Sequence, residues 1–159
     1  MYEWRTGKHC VFKNTYHLVF VTKYRRGVFD DELLKHCEAV IKETCLQMDC
    51  ELHEFNGEDD HIHILISTPP KHAVSNVVGK LKGKSAYSLK KHYLDRIKPY
   101  LWGHHFWSGS YCCVSVGSAT LDTVKQYIEH QQRPVSEDAA KRSQRAAKPN
   151  RKQRPLTPT

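Results

Sequence analysis

The chain has six cysteines (Cys10, Cys37, Cys45, Cys50, Cys112 and Cys113) but no C-x-x-C pair among them. That excludes a zinc ribbon and a thioredoxin-type redox motif. No apolar run approaches the length needed to span a membrane. Residues 1–8 are polar and offer no secretory signal. We therefore expect a cytoplasmic protein with reduced, mostly packed thiols and no membrane partner. No internal repeat is visible. Hydrophobic residues make up only 39% of the chain, which predicts that part of it lies outside the core. The 159 residues still suffice for one compact domain with a real core. Acidic residues are also scarce, 17 against 25 Lys and Arg, for a formal net charge of +8. Such a balance favours a polyanionic partner, nucleic acid before membrane.

The excess charge is concentrated at one end. From Arg133 onward there are 8 basic and 2 acidic residues, so this stretch carries +6 of the +8. Residues 1–132 hold 17 basic and 15 acidic residues and are nearly neutral. Any nucleic-acid face within them must come from local clustering. Residues 134–159 are rich in Pro, Lys, Arg, Ser and Ala and poor in large apolar side chains, the composition of a disordered tail.

Between these limits the chain reads as alternating elements. Residues 15–22 (TYHLVFVT) are β-branched and aromatic with little alternation, so they predict a central strand. Asp30 can cap a helix carrying Leu33, Leu34, Cys37, Val40, Ile41 and Met48 at helical spacing. Residues 50–55 and 60–67 predict two more strands, with a hairpin connection starting at Asn56-Gly57 and a stop at Pro69-Pro70. A second helix is expected over 74–93, with Val74, Val77, Val78 and Leu81 inward and a break or kink at Gly79 or Gly83. Residues 99–109 read as an irregular aromatic loop and 110–116 as a fourth strand. A last helix over 121–132 presents Leu121, Val124 and Ile128, and Pro134 stops it. The order β-α-β-β-α-β followed by one helix is the split βαβ pattern. The fold expected is α+β and ferredoxin-like: an antiparallel sheet with two helices on one face, plus a C-terminal helix.

Within this frame His61 and His63 alternate with Ile62, Ile64 and Ile66 along one strand. Alternation sends both imidazoles to one face and the isoleucines to the helices. Each imidazole can offer a neutral nitrogen to a metal. Taken alone, the pair is equally readable as two polar residues on an open sheet face. On the last helix, Tyr127 and Gln131 are four apart and share a face beside the apolar stripe. By periodicity alone Tyr127 is an amphipathic edge residue.

Read jointly, residues 124–132 (VKQYIEHQQ) and His61-Ile62-His63 closely resemble the HUH single-tyrosine transposases of bacterial insertion sequences, in their IS200/IS605 group. Residues 16–26 (YHLVFVTKYRR), Leu101-Trp102 and Val116-Gly117 extend the match. The resemblance runs in order from about Asn14 to Gln132 and omits the tail. It implies a transposase domain over residues 1–133, with 134–159 as a basic tail. His61 and His63 would be metal ligands, Gln131 a third, and Tyr127 the nucleophile. Mg²⁺ or Mn²⁺ is the implied cofactor, whereas ligand softness alone would suit several transition metals and Mn²⁺ over Mg²⁺. Implied too are single-stranded DNA hairpins at element ends as substrate, and a homodimer whose sites are completed in trans.

The residues also offer DNA contacts. Lys23, Arg25 and Arg26 follow the first strand, and Lys80, Lys84 and Lys91 cluster on the second helix, suited to phosphate. Phe106, Trp107 and Tyr111 can stack on unpaired bases, although packing is the plainer role for Trp102 and Trp107. Asp59 and Asp60 are candidates to orient the histidines, with a simple loop role favoured for Asp59. Two other readings stay open here. One is a domesticated relative acting on repeated chromosomal palindromes. The other is a non-catalytic ferredoxin-like nucleic-acid-binding module, which predicts aromatics on the central strands.

Overall fold

The computed structural model describes residues 4–101, 103–116 and 128–129. Its six strands are β1 (Arg5–Thr6), β2 (Val11–Phe12), β3 (Thr15–Val21), β4 (Glu51–Gly57), β5 (His61–Ser67) and β6 (Cys112–Ser115). Two long helices, α1 (Asp31–Gln47) and α2 (Val74–Ile97), lie between them. β3, β4, β5 and β6 form one sheet in the order β4-β5-β3-β6, and every neighbouring pair is antiparallel. This is the expected ferredoxin-like arrangement. The small β1-β2 hairpin ahead of it was not anticipated, because two-residue strands leave too little pattern to read.

Alternation decides which face is apolar. Leu18 and Phe20 of β3, and Ile62, Ile64 and Ile66 of β5, are all fully buried against the helices. The helices contribute Leu33, Cys37 and Ile41 from α1 and Val77, Val78, Leu81 and Leu89 from α2. Asp30 caps α1 as expected, its Oδ1 accepting from the Leu33 amide at 2.9 Å. Burial pushes the Cys37 and Cys45 thiols up to about 12, so both serve as small apolar residues and not as nucleophiles. Because Ile64 is fully buried in the cluster to which both helices contribute, Ile64→Ala should cost about 2–5 kcal/mol of stability. Urea denaturation measures this directly.

Several expectations need correction. β4 continues through Asn56 and Gly57, and the hairpin turn is formed by Glu58, Asp59 and Asp60 instead. Gly57 is held by close approach, since a Cβ there would fall 2.6 Å from a Leu34 methyl and 3.1 Å from the His61 carbonyl. α2 runs past Tyr93, and its irregularity is at Tyr93 (φ −132°, ψ 28°), not at Gly79 or Gly83. A Cβ at either glycine would meet nothing, so neither is required by packing. β6 is shorter than the expected 110–116. Most of the expected last helix lies outside the described residues; of it only Ile128 and Glu129 are described, and both are helical. Among the described residues, no helix is long and apolar enough to cross a membrane.

Candidate metal and DNA-processing site

The second face of the sheet carries the candidate histidines. His63 pairs across the ladder with Val19 and His61 with Val21. Alternation therefore puts His17, Val19, Val21, His61, His63 and Leu65 together on that face. The central strands β3 and β5 present no Phe, Tyr or Trp there; Tyr16 and Phe20 pack on the helix side. This is the reverse of what an RNA-recognition module needs for base stacking.

His61 is held by its predecessor in sequence. Its Nδ1 lies 2.8 Å from Asp60 Oδ1. A carboxylate only accepts, so Nδ1 carries the hydrogen and Nε2 keeps its lone pair. Asp60 is buried and is itself fixed by Arg25, whose Nε approaches Oδ2 at 3.1 Å. The chain reaches this geometry through a left-handed turn after β3, with φ of 58° at Tyr24 and 50° at Arg25. Thr22 ties the turn to the hairpin, its backbone N–H donating to the Asp60 carbonyl at 2.9 Å and its side-chain hydroxyl to the Arg26 carbonyl at 2.7 Å. Of the two aspartates proposed as orienting residues, Asp60 therefore contacts the histidine. Asp59 contributes its carbonyl to the Phe29 amide.

His63 is half-buried, and its Nε2 lies 2.9 Å from Nδ1 of His17. Burial, then the neighbouring His17 and, more weakly, His61, hold its pKa below the ordinary histidine value, while Glu54 opposes them. The ring thus stays neutral, as a metal ligand must be. Burial and His92 depress His36 in the same direction. The unfolded chain takes up protons near the ordinary value of about 6.5, while these folded rings do not until a lower pH. Between those limits the unfolded state binds more protons, so stability falls as pH falls. The urea midpoint should be lower at about pH 5.5 than at about pH 7.5, with a smaller drop in His36→Gln.

Glu58, Asp60 and His61 also bring ligand atoms within 4.8 Å of one another. Because Arg25 already engages Asp60, we read that carboxylate as the support of His61 and not as a ligand. The donor set fits a divalent ion: one histidine has its tautomer set by a carboxylate, the other is kept neutral, and both face away from the apolar core.

Tyr127 and Gln131 lie outside the described residues. Their neighbour Ile128 does not, and it packs against Val19 and Val21, the ladder partners of His63 and His61. A residue of the expected last helix thus sits on the histidine face.

The basic candidates divide by location. Lys23, Arg25 and Arg26 are at the His61 end of the sheet. Arg25 is engaged with Asp60, and Arg26 donates from Nη1 to the Pro99 carbonyl at 3.2 Å. Lys80, Lys84 and Lys91 are exposed on α2, which packs against the other face of the sheet. Lys84 meets Gln47. These three lysines cannot touch a phosphate bound between the histidines. Phe106 and Trp107 are buried, and Trp107 Nε1 donates to Ser85 Oγ at 3.0 Å, so the stacking role suggested for them is corrected to packing. Tyr111 remains exposed. Sequence reasoning missed His17, although its same-face alternation with Val19 and Val21 was available as a signal.

Comparison with known proteins is consistent with this geometry. The family model described as "Transposase IS200 like" matches residues 10–131. The ISDra2 transposase TnpA of Deinococcus radiodurans is 32% identical over 129 residues, covering 81% of this chain and 91% of that protein. The transposase for insertion sequence element IS200 of Salmonella typhimurium is 34% identical over 123 residues, covering 77% and 80%. A crystal structure of a putative transposase from Deinococcus radiodurans superposes with a TM-score of 0.75 at 32% identity, covering 82% of this chain and 99% of that one.

Proposed function

The chain belongs to the IS200-like transposase family, and from that premise we propose that it cleaves and rejoins single-stranded DNA through a covalent tyrosine intermediate. The observation that carries this reading is the pair His61 and His63 on one sheet face, with Asp60 fixing the tautomer of His61. His61, His63 and Gln131 would hold Mg²⁺ or Mn²⁺. When bound, that ion supplies charge neutralisation at a non-bridging phosphate oxygen and alignment for in-line attack.

Tyr127 is the nucleophile in this reading. Its Oη forms a bond to phosphorus as the bond to the 3′-oxygen breaks. The phenol gives up its proton and the departing 3′-oxygen gains one, leaving a 5′-phosphotyrosine and a free 3′-OH. Phenol has a reference pKa of about 10, so deprotonation must be assisted within the site. A 3′-OH of a second strand can then attack the phosphotyrosine and restore a phosphodiester without ATP, because the covalent link conserves the bond energy. Ile128 supports the assignment, since it brings the residue next to Tyr127 in sequence onto Val19 and Val21.

The substrate in this reading is an imperfect single-stranded hairpin at the ends of a mobile element, and a homodimer completes each site in trans. Lys23 and Arg26, at the His61 end of the sheet, would meet the strand entering the site in this reading. Lys80, Lys84 and Lys91 would meet DNA only at a separate surface. The test is incubation with labelled hairpin DNA from the flanks of the gene. The expected result is an SDS-stable adduct that requires Mg²⁺ or Mn²⁺. No adduct with any flanking hairpin, at any metal concentration, would sink the reading.

A further inference from the structure

A metal-ligating histidine is normally held by a hydrogen bond from its other ring nitrogen, which sets both tautomer and orientation. His61 has such a partner in Asp60. For His63 the corresponding contact is His17, at 2.9 Å between Nδ1 of His17 and Nε2 of His63. The ring centroids are 5.1 Å apart and the planes only 28° from parallel, so the rings meet edge to edge with nitrogen aimed at nitrogen. The ladder explains the approach. His17 pairs with Leu65 and Val19 with His63, which makes His17 and His63 diagonal neighbours on one face.

We propose that His17 is a positioning residue, fixing the ring and tautomer of His63 for metal ligation as Asp60 does for His61. This rests on the metal site proposed above. A nitrogen engaged by His17 is not available to an ion, so Nε2 of His63 donates its hydrogen to His17 Nδ1. The lone pair is then carried on Nδ1 of His63. His17 serves as the acceptor, and a leucine of similar volume cannot replace it. An amide side chain, which offers an oxygen acceptor, can.

Mn²⁺ binding to the full chain, followed by the loss of the free-ion electron paramagnetic resonance signal, tests this without reference to activity. His17→Leu should weaken Mn²⁺ binding about 10–100-fold, the effect of losing an orienting partner. His17→Gln should restore most of the affinity. Thermal unfolding of both variants shows whether each is folded, and the Gln variant keeps the test open if the Leu variant is not. Native protein that binds Mn²⁺ with His17→Leu equal to it would overturn this assignment alone. Tighter binding by His17→Leu would also overturn it, by showing that His17 competes with the ion. Equal weakening in the Gln and Leu variants would reduce His17 to a packing residue. Native protein that takes up no Mn²⁺ would remove the metal site and this assignment together.

Discussion

Tyr127→Phe should lower strand cleavage about a thousand-fold or more, the scale expected when a covalent nucleophile is removed, while leaving hairpin binding almost unchanged. The substitution deletes one oxygen. The ring stays, so the fold should not respond. Binding depends mainly on basic groups and phosphate, none of which changes. A gel-shift assay and a cleavage assay on the same hairpin separate the two effects. Loss of binding together with cleavage would point to a structural role for the tyrosine. Retained cleavage would remove it from the chemistry.

The second large effect concerns the histidines. His61→Ala and His63→Ala should each weaken Mn²⁺ binding by more than the roughly 10–100-fold that loss of an orienting partner causes. Cleavage should fall with it and be abolished by a chelator in the native protein. Asp60→Ala should fall within that roughly 10–100-fold range, because it removes the hydrogen bond to His61 Nδ1 and not a ligand. The ordering, with ligands costing more than Asp60, distinguishes this site from one in which Glu58 and Asp60 bind the ion directly. In that alternative Asp60→Ala would be as damaging as His61→Ala. Calorimetric titration of the three variants with Mn²⁺ resolves the order.

Much of this arrangement was legible in the residues because period-2 alternation is robust where one sheet face is buried. The isoleucines at 62, 64 and 66 fix the face of β5, and His61 and His63 must then take the other. The cap at Asp30 and the stop at Pro69-Pro70 were equally local signals. What was not legible depended on pairing register or loop path. The meeting of His17 with His63 requires knowing that Val19 stands opposite His63. The engagement of Arg25 by Asp60 requires a left-handed turn that nothing in Lys23-Tyr24-Arg25 announces, since neither central residue is glycine. Phe106 and Trp107 were ambiguous because an aromatic loop reads alike whether it stacks on bases or folds back onto Phe20 and Phe29. The lysines of α2 are exposed, but their side of the sheet follows only from the helix packing.

The central claim is a covalent link between DNA and Tyr127, and peptide mapping of the adduct tests it most directly. The native protein is incubated with hairpin DNA and Mn²⁺, digested with nuclease and protease, and its peptides are analysed by mass spectrometry. The account predicts a residual nucleotide attached through its 5′-phosphate to Tyr127. An adduct on a different residue, or cleaved strands with no protein-linked nucleotide, would contradict it.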